Sequence, residues 1–142
     1  MKIDNNKAIV DSLELLKQSK WHKIYNVEDI YRYIIAPIKH NRIRLYYKDS
    51  NPVGLVTWCW LSKEDGQRFL DSEYYITEAD YISDVGDELW GIEFIAPYGN
   101  AMQVMKLIHK EHTRVYNRTE KIHWRRLQEP SKRHIREFKN DL

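Results

Sequence analysis

The chain has 142 residues, which suits one domain with a hydrophobic core. Hydrophobic residues make up 42% of the chain and charged residues 31%, a composition that excludes an intrinsically disordered protein. The net charge is only +2, so the overall balance indicates no particular class of partner.

Targeting and redox features favour the cytoplasm. No apolar run approaches the ~20 residues of a membrane-spanning helix, and the polar N-terminus lacks a signal-peptide pattern. The one cysteine, Cys59, excludes a disulfide framework or a cysteine-based metal site within the chain. Since Cys59 lies between two tryptophans in a strand-like run, we expect it to be a buried small residue.

The first two predicted elements are helices. Residues 7–18 repeat apolar side chains at the helical period, and the stripe expected to face the core is Ile9, Leu13 and Leu16. Asn26 is the predicted N-cap of a second helix, which runs to about residue 40. The inner face of that helix is predicted to be Ile30, Ile34 and Ile38. Pro37 should kink this helix or end it early.

A hairpin and a third helix come next. The segment I-R-L-Y-Y-K (43–48) alternates in polarity, D-S-N-P-V-G (49–54) is rich in turn formers, and V-G-L-V-T-W-C-W-L (53–61) is β-branched and aromatic. Ser62, with Asp65 three residues later, predicts a capped helix over about residues 62–72.

The remaining pattern predicts a strand at 89–96, a helix beginning after Asn100, and late strands at 120–126 and 133–138. Asn100 is the expected N-cap, and the side chains expected to face inward are Val104, Leu107 and Ile108. The order of elements favours an α+β fold with a mixed, mostly antiparallel sheet and helices on both faces. We expect a single domain over residues 1–142, with the shape of a GNAT acyltransferase.

Glu93 is an acid in the middle of the apolar run L-W-G-I-E-F-I-A-P-Y-G-N (89–100). Burial of an unpaired carboxylate costs several kcal/mol, so Glu93 has a partner, reaches water or has a functional role. Regular alternation places Glu93 on the same face as Gly91 and opposite Trp90. Gly91 would leave room there for a substrate or for another ring. The structural alternative is a strand acid paired with a basic neighbour.

Positive charge is concentrated near the C-terminus. Residues 118–139 contain eight Lys and Arg against three Asp and Glu, a net charge of +5, whereas the remainder has 15 basic and 18 acidic residues. A basic face would attract an acidic partner, and a solvated surface is the alternative. Aromatic residues among these cations also raise nucleic acid as a partner, but the interspersed acids and the lack of a nucleic-acid motif disfavour it.

Four stretches in the right order resemble the RTX toxin-activating lysine acyltransferases, over about residues 19–110. They are S-K-W-H (19–22), I-A-P-I (35–38), D-S-N-P-V-G-L-V-T-W-C-W-L-S (49–62) and W-G-I-E-F-I-A-P-Y-G-N (90–100). The last is the most specific and matches a W-x-I-D-x-I-A-P-F-G-like signature.

The resemblance implies a GNAT-like enzyme that moves a fatty acyl group from acyl carrier protein to internal lysines of a protoxin. The family's catalytic His falls on His22, its Asp falls on Glu93, and an implicated Ser falls on Ser19. In this chain, therefore, a glutamate stands where the family has aspartate. The residues themselves leave two roles open for the carboxylate, which could orient His22 or could bind the lysine ammonium.

The donor is expected to be an acyl carrier protein thioester, with no permanently bound cofactor. The turn P-Y-G-N-A has a single glycine and is a poor pyrophosphate nest, although Gly99 and Asn100 could hold one anionic or carbonyl group. Arg125 and Arg126 would belong to the face that docks the acidic carrier.

Several alternatives remain open. His123 is the best rival for the catalytic histidine. His109 and His112 share a helix face, but no third ligand is evident, so no metal site is predicted. A GNAT-type enzyme using acyl-CoA on another amine, and a non-catalytic acyltransferase-like binding module, are the alternative functions. The sequence leaves the oligomeric state open, with a homodimer among the options.

Overall fold

The computed structural model describes residues 4–116, 121–125 and 133–137, and for 112–116 and 133–137 it describes the backbone. In chain order the elements are α1 (Asn5–Gln18), α2 (Val27–Ile30), a π-helical segment (Tyr31–Ile35), α3 (Ala36–Lys39), β1 (Ile43–Lys48), β2 (Asn51–Leu61), α4 (Lys63–Leu70), α5 (Glu78–Ile82), β3 (Glu88–Ile95), α6 (Ala101–Tyr116), β4 (Lys121–Arg125) and β5 (Arg133–Glu137).

The strands form one sheet in the order β1-β2-β3-β4-β5. Neighbouring strands are antiparallel except β3 and β4, which are parallel and in register at two positions, Leu89 with Ile122 and Trp90 with His123. The predicted α+β class and the mixed, mostly antiparallel sheet are confirmed. Beyond Trp90 and His123, the described residues of the two parallel strands form no further pairs.

Helices pack on both faces of the sheet. Along β2, Leu55 packs with Leu15, Leu16 and Ile38 of α1 and α3. Cys59 lies farther along the same face, buried among residues of α4 and α5. The intervening Val56 points the other way and packs with Val104 and Ile108 of α6. No helix within the described residues is long and apolar enough to cross a bilayer.

The helical run from Val27 to Lys39 passes through Pro37 without ending there. Asn26 caps it in a capping box with Asp29, as predicted. The expected kink or early end at Pro37 is replaced by the π-helical segment, in which the N–H of Ala36 donates to the carbonyl of Tyr31. A proline has no N–H and its ring crowds the preceding turn, so a wider turn just before it relieves both problems.

Two residues predicted to face the core do not. Leu13 of α1 is 40% exposed and Leu107 of α6 is 46% exposed. The buried residues of α1 are Ala8, Ser12, Leu15 and Leu16. Because Leu16 fits both this stripe and the predicted one, apolar periodicity alone could not fix the rotation of the helix.

Candidate active site

A β-bulge sets the direction of Glu93. Val56 of β2 pairs with Phe94, while Trp58 pairs with Gly91, so β3 has one residue more than β2 between these pairs. Ile92 and Glu93 therefore lie together opposite Thr57, and the extra residue reverses the alternation of faces.

The bulge corrects the predicted orientation of Glu93. Regular alternation placed Glu93 on the face of Gly91, and this is wrong. Glu93 lies on the face toward α1, with Trp90, while Gly91 lies on the opposite face. A Cβ at Gly91 would overlap the ring of Trp124, so the space beside this glycine is filled by another ring.

The turn after α1 brings Ser19 and His22 to Glu93. The N–H of Ser19 donates to the carbonyl of Leu16 at 3.0 Å and ends the helix, and the N–H of His22 donates to the carbonyl of Ser19 at 3.3 Å. Ser19 Oγ lies 2.5 Å from His22 Nδ1, and His22 Nε2 lies 2.9 Å from Glu93 Oε2. All three residues are buried, with exposed fractions of 7%, 5% and 5%.

The hydrogen bonds assign the tautomer of His22. An ionised carboxylate only accepts hydrogen bonds, so His22 Nε2 carries the proton that is donated to Glu93. In the neutral imidazole Nδ1 is then the acceptor, and the Ser19 hydroxyl donates to it. This is the connectivity of a serine–histidine–carboxylate triad, with the basic nitrogen directed at the serine.

Two further residues hold Glu93, and neither was predicted from the sequence. The Tyr25 hydroxyl donates to Glu93 Oε1 at 2.5 Å, and the backbone N–H of Glu93 donates to Thr57 Oγ1 at 3.0 Å. Burial and the adjacent Glu93 charge raise the pKa of Tyr25 above its ordinary value. Tyr25 therefore remains a protonated donor at neutral pH.

The three candidate residues line a cleft of about 840 Å³. Its lining includes residues from β3, the turn after α1, the start of α6 and the end of β4. Apolar side chains form the part of the wall across from His22: Phe94, Ala96, Pro97, Ala101, Met105 and Trp124. Lys20 and Trp21 also line it. Since Trp21 is 45% exposed, it belongs to the mouth. The cleft thus combines a His–carboxylate pair with an apolar wall.

A family model described as the RTX toxin acyltransferase family matches residues 1–139. The chain belongs to this family. The match extends well beyond the 19–110 stretch that the motifs indicated, and it includes the basic C-terminal segment. Ser19, His22 and Glu93 all fall within the matched residues.

The individual proteins that resemble this chain are distant relatives. The protein-lysine myristoyltransferase HlyC of Escherichia coli is 27% identical over 106 residues, which cover 70% of this chain and 60% of that protein. The RTX-II toxin-activating lysine-acyltransferase ApxIIC of Actinobacillus pleuropneumoniae is 25% identical over 92 residues, or 65% of this chain and 56% of that protein. An uncharacterized protein of Synechocystis is 26% identical over 83 residues, 57% of this chain and 55% of that protein. The chain therefore spans about 55–60% of the length of these relatives.

The predicted donor-binding residues take different positions. Gly99 adopts a positive φ of 73° in the turn before α6, and its neighbours Pro97 and Ala101 line the cleft. Asn100 does not cap α6 as expected with its side chain, because its Nδ2 donates to the Val53 carbonyl at 3.0 Å and its Oδ1 has no partner. Neither Gly99 nor Asn100 is among the lining residues, so their donor-binding role stays a prediction.

Arg125 lies inside the cleft and not on an outer face. Its guanidinium sits 4.0 Å from the centre of the Phe69 ring and donates to the Phe69 carbonyl at 2.7 Å. Burial lowers the pKa of Arg125 from its ordinary value, while the nearby Tyr33 and Glu93 act in the opposite direction. Arg126 lies outside the described residues.

The rival histidine takes no part in this cleft. His123 stacks on Trp90 with ring centres 5.2 Å apart, and its Nε2 lies 3.9 Å from Glu88 Oε2. It is buried in the sheet and is not among the cleft-lining residues. Among the described residues, no three His, Cys, Asp or Glu side chains could hold a metal ion, and the side chain of His112 lies outside them.

Proposed function

We propose that this protein is an acyltransferase that moves a fatty acyl group from acyl carrier protein to lysine ε-amino groups of an RTX-type protoxin. The observation that carries the proposal is the Ser19–His22–Glu93 chain of hydrogen bonds in the wall of a cleft, in a member of the RTX toxin acyltransferase family. The apolar wall across the cleft suits a fatty acyl chain. A carrier-protein donor would place the reaction in the cytoplasm.

The attacking amine must first lose a proton, because a lysine ammonium is not a nucleophile. In the proposed mechanism the Ser19 oxygen takes that proton while the Ser19 hydroxyl gives its own to His22 Nδ1. Glu93 stabilises the resulting imidazolium through Nε2. Of the two roles considered for the carboxylate, the contact of Oε2 with His22 supports the one that orients the histidine.

The neutral amine then attacks the thioester carbonyl and forms a tetrahedral intermediate. The intermediate collapses to the amide as the C–S bond breaks and the amide nitrogen loses its extra proton to water, and the leaving thiolate of the phosphopantetheine arm takes the proton held by His22. One thioester and one lysine ammonium give one amide, one thiol and one released proton. No group other than the donor and the acceptor is consumed.

Arg125 is the residue that we assign to binding of the acyl donor. It is a half-buried cation in the cleft, anchored by Phe69, and a guanidinium is well suited to bind a phosphodiester such as that of phosphopantetheine. Arg125→Met keeps much of the side-chain volume and removes the charge. The expected result is a KM for acyl carrier protein thioester that rises about tenfold with kcat nearly unchanged. An unchanged donor KM would remove Arg125 from this role.

The function is tested by co-expression with an RTX protoxin and mass spectrometry of the protoxin lysines. Acyl mass shifts are expected with the unmodified protein and are lost with His22→Ala and Glu93→Gln. His40→Ala is the control, because His40 pairs with Glu78 away from the cleft. Acylation that persists in both site variants would refute the assigned roles. Turnover with purified acyl carrier protein and acyl-CoA thioesters separates the two donor classes.

A further inference from the structure

We propose that Tyr25 is a positioning residue that adapts this site to a glutamate. It holds one carboxylate oxygen of Glu93 so that the other oxygen faces His22. The catalytic consequence of this arrangement rests on the proposed function, whereas the effect on the His22–Glu93 pair can be measured in the protein alone.

The two oxygens of Glu93 have separate partners. Oε1 accepts from the Tyr25 hydroxyl at 2.5 Å, and Oε2 accepts from His22 Nε2 at 2.9 Å. A glutamate side chain has one more rotatable bond than an aspartate, so its carboxylate has more orientations to lose before it can meet a buried imidazole. The Tyr25 hydroxyl restricts those orientations by fixing the oxygen that His22 does not use.

The backbone of Glu93 is fixed independently, by the Thr57 hydroxyl at the bulge. With the backbone held at Thr57 and Oε1 held at Tyr25, the position of Oε2 follows from the length of the glutamate side chain. The aspartate of the family pattern is one methylene shorter, so from the same backbone position its carboxylate would reach less far toward Tyr25 and His22.

Tyr25 lies in the same turn as His22. Its N–H donates to the carbonyl of His22 at 3.0 Å, and its ring meets the His22 ring edge-on with centres 5.4 Å apart. The second side of the Tyr25 ring packs on Tyr33, with centres 5.8 Å apart. The hydroxyl is therefore held toward Glu93 by packing, and a Phe at this position would keep the packing while losing the donor.

Loss of the Tyr25 hydroxyl should shift the titration of His22 in a predictable direction. A hydrogen bond to a carboxylate stabilises its negative charge, so its removal leaves the formal charge of Glu93 unchanged but makes the carboxylate a stronger acceptor for the His22 proton. Glu93 then holds the His22 proton more strongly, and the imidazolium persists to higher pH. A mere loosening of the structure would instead expose the pair to water and weaken the interaction.

The experiment is an NMR titration of the His22 ring in the whole protein, comparing the unmodified chain with Tyr25→Phe. We expect the midpoint of the His22 titration to rise by about half a pH unit in Tyr25→Phe. Tyr74→Phe is the matched control, since Tyr74 donates to Asp80 at 2.9 Å in a part-buried pair elsewhere in the fold. An unchanged or lowered midpoint in Tyr25→Phe overturns the proposal.

The Glu93→Gln background checks that Tyr25 acts through Glu93. In that background Tyr25→Phe should cause no further shift of the His22 titration. A shift of equal size there would mean that the ring contact acts on His22 directly, which also overturns the proposal.

In acylation assays Tyr25→Phe should lower kcat about tenfold, leave donor KM unchanged and move the acid limb of the pH profile upward. A chain that acylates no protoxin would refute the proposed function, and the titration would still decide the role of Tyr25.

Discussion

The backbone N–H of Glu93 donates to Oγ1 of Thr57 across the sheet at 3.0 Å, at the point where β3 has one residue more than β2. A bulge leaves a backbone group without its ladder partner, and here a side chain from the facing strand supplies the acceptor. The hydrogen bond thus links a local irregularity of the sheet to the orientation of the carboxylate that meets His22.

Replacement of Thr57 by valine should reduce both stability and acylation. Thr57 is fully buried, so Thr57→Val leaves the Glu93 N–H without an acceptor, at a cost of about 1–3 kcal/mol in the free energy of unfolding. Urea denaturation measures this loss. Thr57→Ser is the matched control, because it keeps the hydroxyl. If Thr57→Val retained full activity, the bulge would not need this bond to orient Glu93.

A methyl group at Gly91 should disturb the opposite face of the sheet. The added Cβ of Gly91→Ala would overlap the Trp124 ring, which must then leave its place in the cleft wall. Overpacking of this kind costs about 1–3 kcal/mol. Thermal unfolding checks the loss, and the double variant Gly91→Ala/Trp124→Leu should recover most of it. If Trp124→Leu did not restore stability, the destabilisation by Gly91→Ala would arise from the backbone at residue 91 and not from overlap with the Trp124 ring.

Much of the fold follows from local sequence signals. The Asn26 and Ser62 caps and the turn-rich segment after β1 all act over three or four residues, and the structure contains the elements they predicted. The bulge at Glu93 was not predictable, because it depends on the register between β2 and β3, which regular alternation within one strand cannot reveal. The same limit applies to Leu13 and Leu107, whose exposure depends on the rotation of α1 and α6 against the sheet.

The residues of the candidate site were likewise only partly predictable from the sequence. Ser19, His22 and Glu93 were indicated by the family motifs, and the structure brings these three together although 71 residues of chain separate His22 from Glu93. Tyr25 and Thr57 were missed because a tyrosine in a turn and a threonine in an apolar strand carry no distinctive pattern. Their signal is tertiary, since both are defined only by contact with Glu93.

An ion-pair cluster on the surface should make stability depend on pH in the acid range. Hydrogen bonds from Tyr31 and His40 lower the pKa of Glu78 from 4.5 to about 2. A carboxyl group with a lowered folded-state pKa contributes stability that is complete above 4.5 and is lost as the pH falls toward 2. Glu78→Gln should therefore lower the urea midpoint at pH 6, and this deficit should shrink between pH 4.5 and 2. A deficit that stays constant with pH would assign the effect to packing and not to charge.

The Ser19 hydroxyl is hydrogen-bonded to His22 Nδ1 and Ser19 lines the cleft, so the proposed proton path passes through this hydroxyl. Ser19→Ala should lower kcat by about 10²–10⁴-fold with little change in donor KM, because it removes a proton relay and not a donor contact. Single-turnover assays with acyl carrier protein thioester measure the effect. In the absence of a lysine acceptor, direct transfer predicts that the unmodified protein gains no acyl mass from this thioester. An acyl adduct that forms on the unmodified protein and disappears in Ser19→Ala would contradict the relay, since Ser19 would then be the nucleophile and the reaction would proceed through an acyl-serine intermediate.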